Sequence, residues 1–313
     1  MQTMAGKRQR WPVAVLATAG LTLGLLAGAE AQPAAAGRAT QIEVPGGPHD
    51  IVVGEGGVWV SLGTDRIARI DPATNTVDTL IRVGAHPSGL TVSPGAVWVA
   101  QVESRSVLRI DPEINLDAGT IPLPDRPFKI AYAEGHLWVT SLDKGMLWRV
   151  DPAASRLVGP PIAVSQDTYA IAFAAGAVWL TNPIDRTVSR IEARTGRVVA
   201  TIPVGRNPGG IAMFQDALWV CNRDDATISR IDPARNAVTA TLRLDKLAYN
   251  IVGAAGTLWA SHLRDGVVSR IDPRSGTVVG QFTVVGGPSE IAAGFGAVWV
   301  ISVGSTYVTR IDP

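Results

Sequence analysis

Two carboxylates (Asp50, Glu290), two imidazoles (His49, His262) and the amide of Asn250 are the side chains of this chain best suited to chemistry. They are scattered through 313 residues, yet each holds an equivalent place in a recurring text: just before an apolar strand, or three residues after a tryptophan. Gathered on one side of a shared opening, they would bind a divalent cation or perform acid–base work. Alternatively they would form a solvated polar rim. Lys129 stands across the opening, with Tyr169 and Tyr249 as stacking surfaces, and Asn222 holds the same place after its tryptophan as His262. The candidate ligand-binding set is therefore His49, Asp50, Lys129, Tyr169, Asn222, Tyr249 and Asn250. His86, before Pro87, and His136, in a hairpin, carry less weight.

The recurring text has a fixed period. Trp59, Trp98, Trp138, Trp179, Trp219, Trp259 and Trp299 are spaced 39, 40, 41, 40, 40 and 40 residues apart. Arg69, Arg109, Arg149, Arg190, Arg230, Arg270 and Arg310 keep the same step. Within each copy the pattern reads as four short strands rich in Val, Ile, Thr and Trp, broken by Gly, Pro, Asp and Asn. In the fifth copy these are Gly209–Met213, Ala217–Val220, Ala226–Ile231 and Ala237–Leu244. Four strands per 40-residue unit specify a propeller blade. The first two strands are apolar on both faces, which suits a sheet packed between two neighbouring blades. The expected fold is all-β, a seven-bladed propeller of four-stranded antiparallel blades over residues 39–313. Residues shared by every copy build the scaffold, so the Arg and Asp of Arg-Ile-Asp-Pro are structural, with Asp-Pro opening a turn. The fourth copy departs, reading Arg190-Ile191-Glu192-Ala193. The last copy stops at Asp312-Pro313, after its third strand, and residues 39–45 resemble fourth-strand text. They are expected to complete the last blade and close the ring. Cys221 sits where other copies have Ala100, Thr140, Thr181 and Ser261, as a small buried strand residue.

Composition bounds the setting. Lys7, Arg8 and Arg10 precede an apolar run from Pro12 to Ala29, and Ala29-Glu30-Ala31 offers a small-x-small cleavage pattern. Residues 1–31 are read as a signal peptide and 32–38 as a linker, implying export to a periplasm or beyond the cell. Without residues 1–31, 25 basic and 26 acidic residues remain from 28 and 27, a net charge near −1. That balance carries no footprint for nucleic acid. A monomer with no membrane span after cleavage is expected, its partner a small molecule or a protein at the upper face.

Repeats of the form Ile-Pro-Val-Gly-x-x-Pro-x-x-Ile-Ala, Gly-Ala-Val-Trp-Val and Val-Ser-Arg-Ile-Asp-Pro resemble those of YVTN-type bacterial β-propellers. They are also similar to the wider superfamily that contains the streptogramin lyases, across essentially all of 39–313. The resemblance implies, as an alternative to a non-catalytic binding scaffold, a Mg²⁺-assisted β-elimination on a cyclic peptide lactone, or a lactonase-like hydrolysis. It would make His262 the base, Glu290 its catalytic companion, and Asp50 with Glu290 the metal ligands. The chain departs from the lyase text, with Trp-Val-Cys-Asn at 219–222 and Ala-Thr-Ile-Ser-Arg-Ile at 226–231. It has no Walker loop, HExxH or GxSxG motif. One propeller hosts unrelated chemistries, so the fold alone assigns none.

Overall fold

A computed structural model describes residues 37–84 and 86–313; the signal-peptide reading and most of the 32–38 linker lie outside the described residues. Strand β1 (Ala39–Glu43) comes first. Blade 1 follows as β2 (Pro48–Gly54), β3 (Gly57–Leu62), β4 (Arg66–Asp71) and β5 (Thr76–Arg82). Blade 2 is β6 (Pro87–Ser93), β7 (Ala96–Gln101), β8 (Ser106–Asp111) and β9 (Leu116–Pro122). Blade 3 is β10 (Pro127–Ala133), β11 (His136–Ser141), β12 (Met146–Asp151), β13 (Arg156–Leu157) and β14 (Ile162–Ala163). Blade 4 is β15 (Ile171–Ala174), β16 (Ala177–Asn182), β17 (Thr187–Glu192) and β18 (Arg197–Pro203). Blade 5 is β19 (Pro208–Phe214), β20 (Ala217–Asn222), β21 (Thr227–Asp232) and β22 (Ala237–Arg243). Blade 6 is β23 (Asn250–Ala254), β24 (Thr257–His262), β25 (Val267–Ile271) and β26 (Val278–Thr283). Blade 7 is β27 (Gly287–Gly294), β28 (Ala297–Val303) and β29 (Tyr307–Ile311), with β1 as its outer strand.

Each blade is an antiparallel meander, and seven of them make the propeller. Ring closure follows the expected pairing: β1 runs antiparallel to β29, from Ala39 opposite Ile311 to Glu43 opposite Tyr307. Ile42 and Val44 are buried in the same core as Trp299, Ile301 and Val308. Blade 3 departs from the four-strand pattern. Gly159-Pro160-Pro161 breaks its outer strand into β13 and β14, because proline supplies no ladder donor. No helix occurs among the described residues.

The repeated residues do structural work that the topology explains. The strand-two tryptophans are at most 3% exposed. Their indole N–H groups mostly donate within the same blade, as from Trp59 to Gly54 O at 2.9 Å and from Trp299 to Gly294 O at 3.1 Å. Register places each arginine opposite its tryptophan, as with Arg69 and Trp59 or Arg310 and Trp299. In six blades the guanidinium carbon stands 5.3 to 5.8 Å from the indole centroid, within cation–π range. Four of these arginines also reach the next blade, Arg149 through Ala193 O at 3.0 Å and the other three through an asparagine side chain. Arg69 donates to Asn115 Oδ1 at 3.2 Å, Arg190 to Asn236 Oδ1 at 2.8 Å and Arg310 to Asn75 Oδ1 at 2.9 Å. Those asparagines take left-handed φ values of 57°, 53° and 59°, which asparagine tolerates. They end turns begun by Asp111, Asp232 and Asp71, whose carboxylates accept from the backbone N–H two residues on. Arg and Asp of the repeated motif are thus an inter-blade staple and a turn cap.

Candidate functional site

The position just before the first-strand Ile or Leu reads Asp50, Gly89, Lys129, Ala170, Gly210, Asn250 and Glu290 around the ring. Four polar side chains share the ring with three small residues, and the small ones make room. A Cβ on Gly210 would collide with Asn250 Oδ1, and one on Gly89 would lie 2.6 Å from Phe128 O. The polar four then meet over the channel. Lys129 Nζ lies 3.4 Å from Asp50 Oδ2 and 3.2 Å from Glu290 Oε1, with all three side chains 10–13% exposed. Glu290 also accepts from Asn250 Nδ2 and, at 3.1 Å, from Tyr169 OH. Tyr169 OH and Tyr249 OH are 2.9 Å apart. Asp50 accepts from the backbone N–H of Ile51 at 3.0 Å and of Leu90, in the next blade, at 3.1 Å.

In four blades a hydroxyl two residues after the tryptophan fixes the backbone at this position. Ser61 Oγ accepts from Asp50 N and donates to Ser88 O of the next blade. Thr181 and Ser261 repeat the device, accepting from Ala170 N and Asn250 N and donating to Gly209 O and Ser289 O. Thr140 Oγ1 accepts from Lys129 N at 3.0 Å. Cys221 takes this place in blade 5, and burial pushes its thiol up to about 12, so it stays protonated and inert.

Charge states follow from the packing. Burial opposes the Lys129 ammonium, but Asp50 and Glu290 more than offset it and raise its pKa. Burial alone would raise Glu290; Lys129, with hydrogen bonds from Lys129 and Tyr169, lowers it overall. Asp50 goes the other way, since burial and the Glu290 charge outweigh Lys129 and raise it. Burial and Glu290 also raise the Tyr169 phenol, which remains a donor. A fourth charge completes the set. The Arg223 guanidinium lies between two rings, 3.7 Å from the Tyr169 centroid and 3.8 Å from that of Tyr249, and its Nε donates to Tyr249 O at 3.3 Å.

Beneath the cluster, the channel forms a cavity of about 320 Å³. Asp50, Lys129, Tyr169, Asn250 and Glu290 line one end, and Val52, Ile171, Ala212, Ile251 and Ala293 are among its apolar walls.

Of the residues singled out from sequence, Asp50, Lys129, Tyr169, Tyr249, Asn250 and Glu290 converge. His49, next to Asp50, is exposed. His262 and Asn222 belong elsewhere, because three residues past the tryptophan the strand presents its other face. His262 is fully buried, with Nδ1 3.2 Å from Leu247 O, and burial lowers its pKa. Asn222 is fully buried too, donating to Thr227 and Ser229 and accepting from Gly205 N. His262 therefore does not stand with Glu290 as a base over the channel. The metal reading of Asp50 and Glu290 also fails to fit, since the Lys129 ammonium already occupies the position between them. Among the described residues, no group of three or more His, Cys, Asp or Glu is placed to hold a metal. Arg223 was missed: its signal was indirect, in Gly209, where a Cβ would collide with Arg223 Nε.

Residues 201–311 match a family described as a repeat of unknown function, DUF6923. No curated protein matches the chain. Solved structures do. Virginiamycin B lyase from Staphylococcus aureus superposes with a TM-score of 0.73 at 18% identity, covering 88% of this chain and 99% of that one. A streptogramin B lyase gives 0.74 at 17%, covering 88% and 97%. Hydrazine synthase of Kuenenia stuttgartiensis gives 0.70 at 18%, covering 86% and 96%. Two neighbours are named as lyases and one as a synthase, and at these identities what the chain shares with them is the seven-bladed β-propeller fold.

Proposed function

We propose that this protein is a non-catalytic scaffold that binds a small amphiphilic molecule in its central channel. One observation carries the reading: side chains from five blades converge at one end of an apolar-walled cavity of about 320 Å³. Apolar walls with a few convergent polar groups are the usual make-up of a small-molecule site. The apolar body would lie against Val52, Ile171 and Ile251, and the polar end would face Lys129, Asn250 and Glu290. Non-catalytic binding is favoured because Lys129 and Glu290 are shifted further into their charged forms and Tyr169 further into its neutral form. None of these three is brought towards the neutral range that proton transfer uses; Asp50 alone is raised, and its carboxylate is engaged by the backbone N–H groups of Ile51 and Leu90 and by Lys129.

The test is titration with the neutral fluorophore N-phenylnaphthylamine. Saturable enhancement is expected, and it should vanish in Ala293→Phe, which fills the channel. An absent signal, or one unchanged in that variant with its circular dichroism intact, would refute the channel site. Glu290-dependent turnover of a streptogramin B-type lactone would instead restore the lyase alternative, to which the two lyase-named neighbours point.

A further inference from the structure

Behind the tyrosine pair, a second cavity of about 140 Å³ opens between blades 5 and 6. Its walls include Arg223, Arg264, Asp224, Asn207, Leu247 and Leu263. The Arg223 guanidinium packs in the corner between the Tyr169 and Tyr249 rings, which stand at 83° to one another, and is held at Nε by the Tyr249 carbonyl. Its Nη2 is buried with no hydrogen-bond partner. Neither Arg223 nor Arg264 forms an ion pair among the described residues, whereas Arg206 nearby is paired with Asp225. Asp224 in the same wall accepts from Asn207 Nδ2 at 3.3 Å. The seat for Arg223 is built rather than incidental, because Gly209 leaves the space its side chain crosses.

We infer that this cleft is a binding site for a small monocarboxylate, separate from the channel. A guanidinium held by two rings and one carbonyl still has Nη2 unpartnered, and together with Arg264 in the same wall it offers the charge-assisted N–H donors that suit a carboxylate. The charges select a monoanion: two arginines against Asp224 leave one net positive charge, and a dianion would meet the Asp224 carboxylate. Leu247 and Leu263 provide apolar wall for a short alkyl tail. The volume suits about five water-sized groups, the size of a four- or five-carbon acid.

The experiment is thermal melting of the full chain in butyrate, with butanol and inorganic phosphate as parallel probes at matched ionic strength. A ligand that binds only the native state raises the melting temperature saturably. Butyrate should do so, and butanol and phosphate should not. Arg264 is exposed, so Arg264→Gln should fold normally and bind butyrate roughly ten-fold or more weakly, the loss of one charge-assisted hydrogen bond. Arg223→Gln should abolish the response. Ala293→Phe, which blocks the channel, should leave it intact. The inference is overturned if butyrate has no effect, if phosphate or butanol matches it, or if Arg264→Gln binds as well as the parent. Loss of the response in Ala293→Phe would place the acid in the channel and overturn it as well.

Discussion

Lys129 is the residue on which the cluster turns, because it is the cation between two nearly buried carboxylates. Lys129→Met leaves both uncompensated and should cost about 3–5 kcal/mol, read from urea midpoints. Adding Asp50→Asn and Glu290→Gln should recover most of that loss, since no buried carboxylate is then left without a cation and Arg223 keeps its contacts with the two tyrosines. Dependence on pH separates the two acids. Glu290 titrates lower in the folded chain than in the unfolded one, so its stabilisation is present above the ordinary glutamate value and is lost as pH falls through the depressed one. Asp50 titrates higher when folded, so its contribution is present at low pH and is lost as pH rises from the ordinary aspartate value through the raised one. The two slopes oppose each other on the acid side. Asp50→Asn should therefore steepen the loss of stability on acidification and Glu290→Gln should flatten it, measured between about pH 3 and 7. Identical slopes in both variants would contradict the assignment.

At the scale of the element, loops and strand ends rather than strand interiors set the site. In blades 1, 4 and 6 the entering loop is tied to its own second strand and to the next blade's loop by one hydroxyl, as Ser61 ties Asp50 and Ser88. Gly209 does a comparable job by having no side chain. Gly209→Ala should displace Arg223 and cost about 1–3 kcal/mol by overpacking. Gly47→Ala, with open space around its Cβ, should stay within about 0.5 kcal/mol of the parent. On the opposite face, Asn115→Ala removes an inter-blade partner of Arg69 and should cost about 1 kcal/mol.

For the whole molecule, closure of the ring is the decisive event. Blade 7 takes its outer strand from the start of the described chain, so β1 joins the two ends of the propeller. Removing residues 39–44 would strip Ile42 and Val44 from their core and leave β29 as an open edge. A loss of at least about 3 kcal/mol is expected from burial of those two side chains alone. A melt unchanged by the deletion would mean that the ring holds without this strand.

The period of about 40 residues determined the blade count, the four-strand pattern and the closing strand. Each follows from local strand propensity and from apolar faces that only neighbouring blades can cover. The position before the first-strand Ile was equally legible, because variation against a constant scaffold marked Asp50, Lys129, Asn250 and Glu290. The set containing His262 and Asn222 misled, since one step along a strand reverses the face and the period cannot say which face meets the channel. Only the tertiary structure decided that Lys129 reaches across to neutralise both carboxylates, excluding a cation from between them. It alone showed Arg223 threading past Gly209 to lie between two tyrosines. Those contacts join residues 26 to 161 positions apart, and their distances depend on how seven blades close around one axis.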